Sequence, residues 1–473
     1  MDLNLQINTK YKEEDTTDEP VSPSGQYFNS KTLSVRILGI LESEIPIDDS
    51  NTFPLLEQLF LPINPRFSSI MVHDKKGVKH WKRVEVKLEE HVHVPKYPNG
   101  LSIEEYNDYF DKYLTEISIK PLPKDKPMWE IHFFKYPTIK SAGQVIFKFH
   151  HALGDGFSLM GALLSCMQRA DNPSIPLTFP SIQPSSETKR MDDVGCVPKT
   201  MSAIYNTACD FGWSVVKSSM ISDDKTPIRS GVQGVEFHPI QISTVELSLD
   251  HVKQVKNAIG ATINDVITGI IFLGTRLYMQ ATGKEFSNSE TTALVLLNTR
   301  NIDGYKSIKE MLKNDSNTKW GNQFAFLHVG LPSLVNDQSF NPLTFISQAQ
   351  KTIKRKRNSL AVYLTGQSLE FLRKCRGPEA SAEFIHSTLQ NSTMTVSNMI
   401  GPVEKMSLAN HPCKGLYFMV VGVPQSLTIT IMSYMRTLRI AVGVEKGYID
   451  AQKFNSSLEN AFQLIYKAAM KNI

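Results

Sequence analysis

The sequence predicts an α/β protein built in two halves, and three observations carry that prediction. β-favouring apolar runs alternate with segments of helical periodicity on both sides of the middle of the chain. Residues 171 to 235 are rich in Pro, Ser, Asp and Lys, the composition of a long connection rather than a packed layer. In the first half, Phe149-His150-His151-Ala152-Leu153-Gly154-Asp155-Gly156 places two imidazoles, a carboxylate and two glycines between a strand pattern and a helix pattern. The expected division is a polar arm over 1–18, a first lobe over 19–180, a connection carrying an amphipathic helix over 181–234, and a second lobe over 235–473.

In chain order, apolar material begins at Leu33 and runs to Leu61 as a strand or short helix followed by a helix. Ser68 to Val72 and Val84 to Val94 read as strands; the second would put His91 and His93 on one face, without the cysteine or carboxylate partners of a metal site. Ser102 opens a capping box with Glu105, and Ile103, Tyr106, Phe110, Tyr113 and Leu114 share a helical face. Trp129, Ile131 and Phe133 alternate with Glu130 and His132, in a strand that returns as Val145 to Phe149, apolar enough to be buried on both faces. Leu159, Ala162, Leu163, Cys166 and Met167 then follow the spacing of a one-sided helix.

Within the connection, apolar residues from Met201 to Met220 make a broad helical face. Asn206, Asp210 and Lys217 interrupt it, so a surface-lying or domain-packed helix is expected rather than a membrane span. The second half opens with a strand over 235–249 and a helix over 250–258, and Thr262 caps a further helix. Strands are expected at Leu294–Leu297, Phe324–Val329, Met394–Ser397, Tyr417–Val421, Leu427–Ser433 and Leu438–Val444. The Lys351 to Arg357 run belongs on a helix, read as a solvated face in preference to a phosphate or anionic-lipid site. Leu458, Ala461, Phe462, Ile465 and Tyr466 mark a final amphipathic helix.

The composition bounds the function. With 41% hydrophobic and 21% charged residues, the 473-residue chain can bury a sizeable core. A net charge of +4 is far short of a nucleic-acid-binding balance, though compatible with an anionic ligand or membrane surface. The 5 cysteines are scattered, and an odd number argues against a complete disulfide framework, favouring the cytosolic side. The acidic N-terminal stretch carries no secretory pattern, and Asp2 stands where N-myristoylation would need glycine, so neither signal nor lipid anchor is expected. There is no glycine-rich phosphate loop, zinc motif or fixed-period repeat, so no nucleotide or metal cofactor is expected.

His151, at a strand's end, can project into a cleft, where a near-neutral pKa suits it to take a proton from a hydroxyl and return it. Asp155, four residues on and at a helix start, can cap backbone N–H groups or pair with a distant arginine, for which Arg300 is a candidate. HHALGDG resembles the HHxxxDG motif of acyl-CoA-dependent acyltransferases related to chloramphenicol acetyltransferase. The surrounding chain is similar to the plant wax ester synthase/diacylglycerol acyltransferase family from about residue 19 to the C-terminus. The stretches that carry this are Glu19-Pro20-Val21-Ser22-Pro23-Ser24-Gly25-Gln26-Tyr27-Phe28, Pro127-Met128-Trp129-Glu130, Asn264-Asp265 and Ser397-Asn398-Met399-Ile400-Gly401-Pro402.

The resemblance implies two chloramphenicol acetyltransferase-like lobes, each a mixed sheet flanked by helices, with an active-site tunnel between them, and an ordered loop over 20–28. It implies transfer of a fatty acyl group from acyl-CoA to a long-chain alcohol or to diacylglycerol, with CoA entering as part of a substrate and no separate cofactor. His151 would be the general base, His150 and Asp155 would shape and support the site, and Gly156, Asn264 and Asp265 would support substrate or oxyanion, Asn264 being the better placed of the pair. The membrane surface is the expected partner, at the cytosolic face of the endoplasmic reticulum with the cell membrane as a second location. The competing readings are a soluble-alcohol acyltransferase, against which the lack of a DFGWG-like segment in the C-terminal half argues, and a non-catalytic lipid-binding membrane protein, against which the intact motif argues.

Overall fold

The motif strand, Gly143–His150, is third in a seven-stranded sheet of the computed structural model, which describes residues 19–75, 78–175, 177, 196–299, 320–334, 340–357 and 359–471. The sheet runs Val92–His93, Trp129–Phe134, Gly143–His150, Arg36–Ser43, His411–Val421, Met406–Leu408, Gln168–Arg169. Every residue of Trp129–Phe134, Gly143–His150 and Arg36–Ser43 is buried. Val145, Phe147 and Phe149 enter one core with the helix Gly156–Ser165, while Ile146 faces Phe110, Leu114 and Ile117 of the helix Ile103–Ile119 on the other side. The polar residues among them are paired: Lys148 Nζ meets Glu130 Oε2 at 2.9 Å across adjacent strands.

The second sheet has six strands in the order Phe324–Gly330, Thr292–Asn298, Met394–Ile400, Leu427–Tyr434, Thr437–Glu445, Ile240–Ser248. The helices Ile263–Thr282, Leu343–Arg357 and Ala451–Met470 cover it and share its core. A small third sheet joins Glu19–Pro20, Lys79–Arg83 and Ser69–His73. Both large sheets mix parallel and antiparallel pairs, as expected.

The sheets do not follow the two halves of the chain. His411–Val421, from the second half, pairs antiparallel along Arg36–Ser43, with Leu416 opposite Leu41 and Val421 opposite Arg36. Residues 406–421 therefore complete the first sheet, covering an apolar strand edge that would otherwise be open to mispairing. The two sheets meet through Leu38, Ile40, Tyr417 and Met419 against Ile242 and Ala441. Across the same junction Arg439 Nη1 contacts Glu42 Oε1 at 2.7 Å.

Three local expectations need correction. The strand expected over 84–94 is absent as such: the strand Lys79–Arg83 ends before it, and the stretch itself holds a 3-10 turn at Leu88–Glu90 and the short strand Val92–His93. Alternating apolar residues signal an extended chain, but a strand also needs a neighbour, and the short edge at Ile131–His132 accepts only Val92–His93. His91 and His93 consequently part company: the His91 ring lies 4.2 Å from Trp129, and the His93 ring 4.8 Å from His132. Secondly, part of the loop expected over 20–28 is a one-and-a-half-turn helix, Pro23–Phe28, capped by Ser22. Thirdly, the sequence reading anticipated neither Ala361–Arg376 nor Pro378–Asn391, both helical. The connection helix, Cys196–Ser219, packs against these two. Just beyond it, Asp223 fixes the chain to the second lobe by accepting from Lys217 Nζ at 2.7 Å and from the Thr292 amide at 2.7 Å.

Candidate active site

The motif strand ends where the His151 amide donates to the Val35 carbonyl at 2.9 Å, and the chain turns into the helix Gly156–Ser165. The two histidines then diverge. His150 turns into the protein: its Nδ1 accepts from the Ala152 amide at 3.2 Å, so its Nε2 carries the proton and donates to Ser34 Oγ at 3.2 Å. Burial, with Arg36 nearby, pushes its pKa down to about 3. With both nitrogens engaged, His150 is held as a neutral imidazole.

His151 faces the other lobe. Asn322 Nδ2 donates to the His151 carbonyl at 3.0 Å, which orients the amide so that Asn322 Oδ1 lies 2.8 Å from the ring Nδ1. That oxygen can only accept, so Nδ1 holds the proton and Nε2 is left as the basic nitrogen, engaged by no described residue. The ring is bracketed by Phe28, with centroids 4.6 Å apart, and by Phe324 at 5.6 Å. Burial lowers the His151 pKa, opposed by the Asp155 charge and by hydrogen bonds that the ring donates to its own backbone and to Asn322. The imidazole is therefore neutral at neutral pH.

Asp155 is the N-cap of the motif helix, and its two oxygens serve two lobes. Oδ1 accepts from the Ser158 amide at 3.0 Å, and Oδ2 from the Gln323 amide at 2.9 Å. The segment Trp320 to Gln323 latches on to the motif turn at further points. Trp320 Nε1 donates to the Leu153 carbonyl at 2.6 Å, the Asp155 amide to the Gly321 carbonyl at 3.3 Å, and the Gly321 amide to Ser158 Oγ at 3.2 Å. Gly321 has φ +128°, a conformation that only glycine adopts readily. Gly156, the first residue of the helix, lies so near Met399 that a Cβ would sit 2.8 Å from its Sδ.

The other expected site residues lie at the start of the helix Ile263–Thr282. Asp265 forms a reciprocal capping box with Thr262, its Oδ2 accepting from the Thr262 amide at 2.9 Å and from Gln350 Nε2 at 3.2 Å. Asn264 is exposed and its Oδ1 accepts from Asn398 Nδ2, one residue before the Met399 that abuts Gly156. No described contact joins Asn264 or Asp265 to His151. Arg300 lies outside the described residues.

The sequence reading overlooked Trp320, Gly321, Asn322 and Gln323. A glycine flanked by an indole and two amides immediately before a strand was the available signal, because backbone-compatible turns carrying donors and acceptors are what a distant motif needs for docking. On the helix-covered face of the first sheet, an apolar cavity of about 320 Å³ is lined by Leu41, Ile47, Leu55, Phe133, Val145 and Phe147 among others. One of its walls, Phe60, stacks on Phe149, two residues before His151, at 6.1 Å.

Against this geometry, comparison with known proteins is consistent along the chain. Residues 57–267 match the wax ester synthase/diacylglycerol acyltransferase catalytic domain, and residues 320–466 the WS/DGAT C-terminal domain. The chain is 30% identical over 482 residues to wax ester synthase/diacylglycerol acyltransferase 9 of Arabidopsis thaliana, covering 97% of each. It is 29% identical over 487 residues to wax ester synthase/diacylglycerol acyltransferase 4 of the same plant, covering 97% of this chain and 92% of that one. Its fold is similar to that of the wax ester synthase/diacylglycerol acyltransferase from Marinobacter aquaeolei VT8, with TM-score 0.59, 14% identity, and coverage of 95% of this chain and 100% of the other. It is also similar in fold to the starter condensation domain of rhizomide synthetase, with TM-score 0.54, 11% identity, and coverage of 96% and 94%.

Proposed function

The chain belongs to the wax ester synthase/diacylglycerol acyltransferase family and is an acyltransferase, and from that premise we propose that it moves a fatty acyl group from acyl-CoA to the hydroxyl of a long-chain alcohol or of diacylglycerol, with His151 as general base. The observation that carries the reading is the fixed tautomer: Asn322 holds Nδ1–H and leaves the lone pair of Nε2 for substrate. The acceptor hydroxyl gives its proton to Nε2 as its oxygen adds to the thioester carbonyl. Collapse of the tetrahedral adduct breaks the C–S bond, and the imidazolium returns the proton to the CoA sulfur. One nitrogen serves both transfers, so no acyl-enzyme is required, and such general-base assistance is commonly worth about 10² to 10⁴ in rate. Burial supports the role by keeping the imidazole neutral, and Asp155 steadies the cation that forms transiently.

Asn264 is assigned polar support of substrate or oxyanion, supported by its exposed amide beside the strand that reaches Gly156. Asp265 organises the turn that presents it, and Gly156 leaves room where the lobes meet. Acyl-CoA enters as substrate, without a separate cofactor. The apolar cavity beside Phe60 is assigned to an aliphatic chain of the substrates, on the strength of its lining.

The proposed location is the cytosolic face of the endoplasmic reticulum, with the cell membrane as a second site, by peripheral attachment. Among the described residues no single helix is long and apolar enough to cross a membrane. The bent pair Leu249–Ile259 and Ile263–Thr282 meets that test jointly but turns by 101°, and the second helix lies in the core. The test is purified protein given palmitoyl-CoA with a fatty alcohol and diacylglycerol in competition, following both products and CoA release. Absence of both esters, with acylation of small polar alcohols instead, would overturn the assignment.

A further inference from the structure

Residues 343–376, which include the helices Leu343–Arg357 and Ala361–Arg376, hold a disproportionate share of the positive charge. They contain eight basic residues, grouped in the Lys351 to Arg357 run and at Arg373, Lys374 and Arg376, against the single acid Glu370. That is +7 in a chain whose total is +4, so the remaining residues together are −3. Among the described residues Asp210 pairs with Arg355 at 3.0 Å and Lys356 at 3.4 Å, one carboxylate shared between two of these cations.

The second helix carries an apolar stripe that faces outward. Leu360 is 66% exposed, Tyr363 65%, Leu364 37% and Phe371 69%. At about 100° per residue these four fall within one arc of about 100°, and Leu369 points the opposite way. Leu369 packs inward on the core cluster that contains Phe28, against which Phe324 also packs; these are the two rings bracketing His151. Together with Pro378–Asn391, whose Ala382, Ile385 and Leu389 belong to the same cluster, the helix lies between the surface and the walls of the candidate active site.

We infer that the outward face of Leu343–Arg357 and Ala361–Arg376 is the surface by which the protein lies on an anionic lipid bilayer, with Ala361–Arg376 as the layer through which a membrane-dissolved acceptor reaches His151. The basic cluster supplies long-range attraction to anionic headgroups, and the aromatic and aliphatic stripe supplies short-range insertion at the interface. A polyanion such as nucleic acid would use the charge and leave the stripe in water; a bilayer uses both. This deepens the peripheral attachment proposed above and rests on it for the identity of the acceptor, but not for the binding measurement.

The full chain is sedimented with phosphatidylcholine vesicles prepared with and without phosphatidylserine, as wild type, as Lys351→Glu/Arg357→Glu and as Tyr363→Ser/Phe371→Ser. The wild type binds the phosphatidylserine vesicles and is released by salt, and each double variant loses on the order of tenfold in binding or more. Unfolding midpoints stay in place because all four side chains face solvent. Binding unaffected by either variant, or wild-type binding equal on both vesicle types, overturns the inference. Loss on charge reversal with no loss for Tyr363→Ser/Phe371→Ser assigns a purely electrostatic partner and also overturns it. A wild type that sediments with anionic vesicles yet transfers no acyl group refutes the activity and leaves this surface supported.

Discussion

Asn322 grips His151 at two points, accepting the ring Nδ1–H at 2.8 Å and donating to the same residue's carbonyl at 3.0 Å. One side chain from the second lobe thus fixes both the orientation and the tautomer of a residue on the first. The arrangement resembles the orienting carboxylate of a catalytic triad, but with a neutral amide that leaves the histidine basicity low.

His151→Ala is expected to reduce turnover by about 10² or more while leaving the fold intact. Asn322→Asp is expected to raise the imidazole pKa by placing a carboxylate on Nδ1. In the wild type the lowered pKa keeps the base neutral below the ordinary histidine value, so activity persists as pH falls through that value and declines only beneath it. In Asn322→Asp the acid limb of kcat/KM should move to higher pH. A pH–rate profile identical to wild type would remove Asn322 from the positioning role.

Asp155→Asn should destabilise the protein by roughly 1–3 kcal/mol and lower activity. Both carboxylate oxygens accept backbone N–H groups, one from Ser158 and one from Gln323, and an amide offers only one acceptor. The variant must therefore face one buried N–H with its own NH₂. Urea unfolding with an unchanged midpoint would contradict the two-lobe cap.

Stability should decline as pH falls below 6.5. His150, with its pKa pushed to about 3, and His132 and His328, pushed to about 4, are all depressed chiefly by burial. Below 6.5 the unfolded chain takes up protons that the folded form refuses until those lower values, so the stabilising contribution is complete above 6.5 and is lost progressively toward 3 to 4. Each such group costs at most about 1.4 kcal/mol per pH unit in that window. Urea titrations from pH 8 to pH 5 measure the slope, and His150→Gln should make it shallower.

A long-chain primary alcohol should be a better acceptor than a short polar one, because the chemistry at the hydroxyl is identical and each buried methylene contributes about 0.8 kcal/mol. Leu55→Trp, which narrows the 320 Å³ cavity from its half-buried edge, should shift the preferred chain shorter. Varying acyl-CoA length and alcohol length separately identifies which chain occupies it. A flat response to both lengths in wild type would move the protein toward soluble alcohols.

The sequence by itself determined the local structure around the motif, because that information is short-range. The apolar run of Gly143–His150, the capping position of Asp155 and the reciprocal box of Ser102 with Glu105 each depend on residues a few positions apart, and each is found in the structure. Tertiary structure alone decided what lies across the cleft. Asn322 and Gln323 reach His151 and Asp155 from 171 and 168 residues away, and His411–Val421 crosses back to finish the first sheet. Hydrophobic periodicity records which side of an element is buried, not which distant element buries it. For the same reason the helix Ala361–Arg376 was not anticipated: its widest apolar stripe points outward, and only the packed structure separates that stripe from the core-facing Leu369.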